Sequence, residues 1–147
     1  MNAIEPAARP GADQAIILGG EDMKREFIGI MGKLNCELGE EAGVVTVTLE
    51  GQADVHTSEE VKRILQTYLA RGQSRILLDL TKLDYCDSST LRVLLTLQKQ
   101  AKTAGGAIKL LKLGGEPRRV FEVSGFLDLF ETFNDREEAL RSFGGLE

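Results

Sequence analysis

At 147 residues and 42% hydrophobic content, the chain has the size and composition of one globular domain with a packed core and an extension. Its 18 Lys and Arg residues against 23 Asp and Glu give a net charge of -5 without any basic run, so nucleic acid is not an expected partner. No apolar stretch approaches the length of a membrane span and no signal-peptide pattern starts the chain, which predicts a cytoplasmic protein without membrane insertion.

Residues 1–32 are predicted to be an N-terminal extension, partly flexible, ahead of a domain that spans residues 33–147. Two of the three prolines precede Gly20, and only residues 15–18 have an apolar pattern there. The apolar spacing over residues 23–34 fits either a helix or a strand, because Gly29 and Gly32 interrupt it. The alternatives for this extension are disorder, an added strand or a dimer contact, so a homodimer stays open.

A β-hairpin with one buried face is predicted next. Apolar residues alternate with polar ones on both sides of a turn over residues 39–43, namely Leu34, Cys36 and Leu38 before it and Val45, Val47 and Leu49 after it. Residues 51–57 are predicted to be a loop. Thr57 and Glu60 then form a capping-box signature, which predicts that a helix starts there and continues to Gly72.

The centre of the chain is predicted to be a strand, a polar loop and a long helix. The strand covers residues 75–80 and the helix residues 88–104, with Asp87 and Ser88 at the helix start. A strand over residues 108–113 follows and implies a parallel crossover. A third helix starts near Pro117 and ends at Gly125, residues 127–133 suit an edge strand, and Asn134 or Asp135 caps a last helix. Together these elements predict an α/β fold, a small mixed sheet with helices packed on it.

Two loops that follow strands are predicted to meet at one edge of the sheet. They would bring together six side chains: Asp54, His56, Asp84, Asp87, Ser88 and Ser89. If the protein were an enzyme, the carboxylates and His56 could bind a metal. Alternatively, Ser88 could be a nucleophile activated by His56 and an Asp. The chain lacks a nucleophile elbow and a glycine-rich phosphate loop, so we predict no catalytic residues, metal or cofactor. Cys86 is either a redox sensor with a lowered pKa or a packed core residue.

Helical geometry places Ser88 on an outward side of the long helix. Its neighbours on that side are Arg92, Leu95, Thr96 and Lys99. A phosphate on Ser88 would add about 1.5 to 2 negative charges beside Asp87. The helix N-terminus and Arg92 could hold this phosphate, while a docking partner would be repelled.

Several motifs in order resemble a STAS domain of the anti-sigma factor antagonist type. They are Leu49-Glu50-Gly51-Gln52-Ala53-Asp54, Leu78-Asp79-Leu80 followed by Cys86-Asp87-Ser88-Ser89, Gly105-Gly106, and Val120-Phe121-Glu122-Val123-Ser124-Gly125-Phe126. The resemblance covers the chain from about residue 33 and implies a single domain with a mixed four- or five-stranded sheet flanked by about four helices.

The resemblance also implies a switch in which Ser88 is phosphorylated by an anti-sigma factor that is a serine kinase of the histidine-kinase-like ATPase fold. Only the unphosphorylated form would bind this kinase and release a sigma factor, and a metal-dependent serine phosphatase would reset the switch. Asp54 and Asp87 match the family's acidic positions. The predicted partner-binding residues are Asp54, His56, Thr57, Asp87, Ser88, Ser89, Arg92 and Leu95.

The sequence departs from the family after the predicted phosphorylation site. Thr90 and Arg92 stand where the family usually has glycines, which would let a partner's backbone approach closely. Ser89 and Thr90 are alternative sites of modification. The alternative function is a constitutive STAS subunit of a transporter, a lipid-transport assembly or another regulatory complex, never phosphorylated.

Overall fold

The computed structural model describes residues 12–19 and 24–144, with side chains from residue 25 onward. Within those residues the chain forms one mixed sheet of eight strands and four α-helices. The strands are β1 (Ala12–Gly19), β2 (Lys24–Ile30), β3 (Leu34–Glu41), β4 (Val44–Ala53), β5 (Arg75–Asp79), β6 (Leu83–Cys86), β7 (Ala107–Leu111) and β8 (Thr132–Phe133). The helices are α1 (Ser58–Ala70), α2 (Ser88–Thr103), α3 (Gly115–Ser124) and α4 (Arg136–Arg141).

The sheet combines an antiparallel half with a parallel half. Its order is β1-β2-β3-β4-β5-β7-β8, and β6 pairs with the end of β4 beside β5. The first four strands are antiparallel, whereas β5, β6, β7 and β8 run parallel to their partners. The predicted α/β class, the hairpin of β3 and β4 and the parallel strand-helix-strand unit of β5, α2 and β7 are confirmed.

The sheet is larger than the four or five strands that the resemblance implies, chiefly because the predicted extension contributes two of them. Residues 24–30 form β2 rather than a helix, with Ile28 and Ile30 buried at the two-residue period of a strand. β1 pairs with β2, and β2 pairs with β3. The predicted flexibility of residues 1–11 and 20–23 lies outside the described residues.

Apolar side chains are buried on both faces of the sheet. On one face, a core cluster joins the inward positions of β3 and β4 to α1 and α2, including Cys36, Val47, Leu65 and Leu97. On the other, a smaller cluster under α4 contains Val44, Leu77, Leu111, Ala139 and Leu140. β5 and β7 are covered on both faces, which explains why their sequences are nearly continuous apolar runs.

The helix boundaries agree with their sequence signals with one adjustment, at the start of α3. Asp135, one of the two predicted caps of α4, accepts a hydrogen bond from the Glu138 amide at 2.9 Å. Gly125 ends α3 with a φ of 79°, as predicted, but Pro117 is the third residue of α3, not the first. Among the helices of the described residues, none combines the length and apolar character needed to cross a bilayer.

Candidate functional site

The backbone carbonyl of Ala53 joins the two loops that the sequence predicts to meet. Ala53, the last residue of β4, pairs with Cys86 of β6. Its oxygen accepts hydrogen bonds from the Asp87 amide at 3.2 Å and from the Thr90 hydroxyl at 2.8 Å. The start of α2 is therefore fixed directly beside the loop that begins at Asp54.

The first turn of α2 presents one serine to solvent. Asp87 is the N-cap, and its Oδ1 accepts a hydrogen bond from the Thr90 amide at 3.2 Å. Ser88, the first residue of the helix, is exposed, whereas Ser89 is half-buried. The helix N-terminus leaves backbone N–H groups and a positive dipole end near Ser88, which suits a phosphate.

The predicted outward side of α2 is confirmed. Arg92, Thr96 and Lys99 are exposed and Leu95 is half-buried. Residues on the opposite side, Val93, Leu94, Leu97 and Ala101, are buried in the main core. A partner can therefore reach Ser88 and Arg92 together without any change in the packing of the helix.

Thr90 does not lie on this surface. Only 1% of the residue is exposed, and its hydroxyl is bound to the Ala53 carbonyl. Thr90 therefore does not crowd the docking surface at the position where the family usually has a glycine. Arg92 is exposed, so a partner would contact this arginine where the family usually has a glycine.

Asp54 organises its loop through both carboxylate oxygens. Its Oδ1 accepts hydrogen bonds from the amides of His56 at 2.9 Å and Thr57 at 3.2 Å. Its Oδ2 lies 3.0 Å from the Nζ of Lys33. Asp54 is thus a nearly buried residue that shapes the loop, while the neighbouring His56 is exposed.

The capping box predicted for α1 is wrong. Thr57 is fully buried and makes no side-chain cap; its hydroxyl instead accepts a hydrogen bond from the Asp54 amide at 2.9 Å. Its own amide donates to Asp54, and the Glu60 carboxylate pairs with Arg63 at 3.2 Å. The Asp54 carboxylate accepts the hydrogen bond from the Thr57 amide that the Glu60 side chain would accept in a capping box. The capping box therefore does not form, although its sequence signature is present.

Lys33 is a functional candidate that the sequence does not indicate. It ends the turn between β2 and β3, and no motif surrounds it in the sequence. Its contact with Asp54 spans 21 residues and arises because the start of β3 lies beside the end of β4. Only the pairing of these strands could reveal it.

The contacts of Asp54 predict a pH-dependent contribution to stability. Burial alone would raise the pKa of Asp54, but Lys33 and the amides of His56 and Thr57 together hold it below 3.8. A carboxylate whose pKa is lower in the folded state stabilises the fold above its unfolded pKa, and this contribution is lost as the pH falls through the folded pKa.

We therefore expect the free energy of unfolding of wild type to fall more steeply than that of Asp54→Asn between about pH 5 and about pH 2, measured by urea unfolding. Lys33→Met should give an intermediate slope, because it removes the ion pair and keeps the two amide bonds. Parallel pH profiles for wild type and Asp54→Asn would contradict the assigned role of this carboxylate.

Cys86 is a core residue and not a redox sensor. Burial raises the pKa of its thiol to about 12, and the negative charge of Asp87 contributes to the rise. Only 1% of the residue is exposed. A sensor needs a lowered pKa and an accessible thiolate, so the redox hypothesis is contradicted.

Two of the three carboxylates in the enzymatic alternatives, Asp54 and Asp87, are occupied by local structure, and the third, Asp84, is exposed on β6. Asp54 is bound to Lys33 and two amides, and Asp87 caps α2. Neither is therefore free to orient the His56 ring toward Ser88. In the part of the chain that the structure describes, no three His, Cys, Asp or Glu side chains are grouped as metal ligands.

Comparison with known families identifies the fold. The family model of the STAS domain matches residues 35–139, which contain both loops and all of α2. The chain belongs to the STAS domain family. The expected family and fold are thereby confirmed.

Relatives within the family share a name that refers to sigma-factor control. BtrV of Bordetella bronchiseptica, named as a candidate anti-sigma factor antagonist, is 37% identical over 101 residues, which cover 69% of this chain and 87% of BtrV. The anti-sigma F factor antagonist of Paenibacillus polymyxa is 30% identical over 108 residues, covering 73% of this chain and 92% of that protein.

A solved structure shows the same fold. The anti-sigma factor antagonist SpoIIAA in its unphosphorylated form superposes with a TM-score of 0.65 at 24% identity, covering 73% of this chain and 94% of SpoIIAA. Its phosphorylated form, described as a Bacillus cell fate determinant, gives a TM-score of 0.60 over 73% of this chain and 97% of SpoIIAA.

Proposed function

We propose that this protein is an anti-sigma factor antagonist controlled by phosphorylation of Ser88. In its unphosphorylated form it binds an anti-sigma factor and thereby releases a sigma factor. The observation that carries the proposal is the exposure of Ser88 at the first position of α2, beside the Asp54 loop. Relatives named as anti-sigma factor antagonists and a phosphorylated form of SpoIIAA support it.

The partner is an anti-sigma factor that is also a serine kinase of the histidine-kinase-like ATPase fold, and a serine phosphatase removes the phosphate. Phosphorylation acts through charge, because it adds about 1.5 to 2 negative charges where Asp87 already contributes one. The docking surface consists of the exposed residues Ser88, Arg92 and His56 with the half-buried Leu95 and Ser89. Thr57, Asp54 and Asp87 hold this surface in shape.

We expect ATP and the purified kinase to add one phosphate to the wild-type protein, counted by intact-mass analysis. Ser88→Ala should accept none. Ser89→Ala should still accept one, because Ser89 is half-buried beside an exposed Ser88. Thr90→Val should also accept one, because the Thr90 hydroxyl is buried and bonded. A phosphate retained by Ser88→Ala would overturn the assignment.

The exposed Arg92 favours the second candidate function, a constitutive STAS subunit of a larger complex. A long charged side chain at this position blocks the close backbone approach that a glycine permits. In that case the protein would copurify with its complex irrespective of Ser88, and no phosphate would be transferred. The same mass measurement, made on protein recovered by pulldown, separates the two functions.

A further inference from the structure

The turn between β2 and β3, residues 31–33, lies at the same end of the sheet as the proposed docking surface. The Gln52 amide near the end of β4 donates to the Lys33 carbonyl at 3.0 Å. On the other side of β4, Gln52 pairs with Tyr85 of β6, which leads into α2. The turn, the Asp54 loop and the start of α2 therefore follow one another along this end.

Lys33 presents the charge that a partner meets at the Asp54 loop. Its Nζ lies 3.0 Å from Asp54 Oδ2, and its side chain is 38% exposed against 13% for Asp54. The Asp54 carboxylate is already shared with two backbone amides. A protein approaching this loop therefore contacts an ammonium group more readily than a carboxylate.

Two exposed apolar side chains flank this ion pair. Met31 precedes Lys33 by two residues and is 51% exposed, and Val55 follows Asp54 and is 58% exposed. Apolar side chains that are exposed close together and bordered by polar groups are typical of protein interaction sites. Methionine in particular adapts its flexible side chain to a partner surface.

The geometry of the turn does not account for a methionine. Met31 and Gly32 have φ values of 56° and 65°, and the Lys33 amide donates to the Ile30 carbonyl at 3.0 Å, as in a type I′ turn. Asn-Gly is the sequence such turns favour, because asparagine tolerates positive φ far better than methionine. An exposed Met31 is thus unfavourable for the isolated turn.

We propose that Met31, Lys33 and Val55 form a second patch of the docking surface, which selects the anti-sigma factor that this protein binds. The proposal rests on the proposed function. The partner it fits presents an apolar side chain beside a carboxylate, complementary to Met31 and Lys33. Because the family match begins at residue 35, Met31 and Lys33 lie outside the region shared with the family model and suit a role in specificity.

The test is isothermal titration of the full chain with its purified anti-sigma factor. Met31→Asn should bind at least tenfold more weakly while its Tm is unchanged or higher, because asparagine suits the turn. Lys33→Met should also bind at least tenfold more weakly, and Lys33→Arg should recover most of the affinity. The control, Val123→Asn, changes a 78% exposed apolar residue on α3 and should stay within twofold of wild type.

Ser88→Asp, titrated in parallel, separates failure of the patch from failure of the function. If Met31→Asn and Lys33→Met bind like wild type while Ser88→Asp does not bind, the patch is refuted and the switch stands. If Ser88→Asp also binds like wild type, the proposed function fails as well. A loss of affinity in Val123→Asn equal to that in Met31→Asn would also refute the patch.

Discussion

Ser88→Asp is expected to weaken binding to the anti-sigma factor at least about 100-fold, whereas Ser88→Ala should bind within about twofold of wild type. The aspartate places a permanent charge at the exposed first position of α2, next to the Asp87 carboxylate. A partner that docks here through acidic or apolar groups faces this added charge. Like charges placed together across an interface cost several kcal/mol, which is enough for this loss. Titration calorimetry with the purified anti-sigma factor measures it.

The fold should tolerate this substitution. An acidic residue in the first turn of a helix is stabilised by the helix dipole by about 0.3 to 1 kcal/mol. Ser88 is exposed, so the new carboxylate remains in water. A melting temperature close to wild type, measured on the same sample, would attribute the loss of affinity to the interface and not to unfolding.

Ser89→Asp is the matched control, since it adds the same charge one residue further along α2. Ser89 is half-buried and points about 100° away around the helix, so binding should be affected less than by Ser88→Asp. If Ser89→Asp abolishes binding and Ser88→Asp does not, Ser89 is the regulated residue. If both bind like wild type, the switch is refuted.

The parts of this site that could be predicted from sequence depend on local chemistry. Asp87 caps α2 because its short carboxylate reaches the Thr90 amide three residues on, an interaction that needs no information from the rest of the chain. The buried and exposed sides of α2 follow from helical periodicity in the same way. The meeting of the two loops at one edge of the sheet follows from the rule that loops after neighbouring parallel strands emerge together. The strand β6, which lies within the predicted polar loop and pairs with β4, was not predicted.

The parts that could not be predicted depend on competition between distant groups. Thr57 and Glu60 have the spacing of a capping box, but Asp54 binds the Thr57 amide first. The pairing of Lys33 with Asp54 depends on the register of β3 and β4. β2 was ambiguous because Gly29 weakens both the helical and the strand pattern, and its pairing with β3 decides between them.

Gly51→Ala is expected to destabilise the protein by at least about 3 kcal/mol, because it combines backbone strain with a steric clash. Gly51 has a φ of 114°, and a Cβ on it would lie 2.3 Å from the carbonyl oxygen of Lys33. Relief of this clash would push the turn at residues 31–33 away from β4, so affinity for the anti-sigma factor should fall as well.

Gly32→Ala is the matched control for this prediction. Gly32 also has a positive φ, 65°, but a Cβ there meets nothing within 4 Å. Gly32→Ala should lower the free energy of unfolding only by the cost of an alanine in the left-handed backbone conformation, about 1 to 2 kcal/mol. Urea unfolding of both variants measures the difference. Equal destabilisation would mean that the backbone of the turn yields freely, and the close approach of Lys33 to β4 would then not hold the turn beside the docking loop.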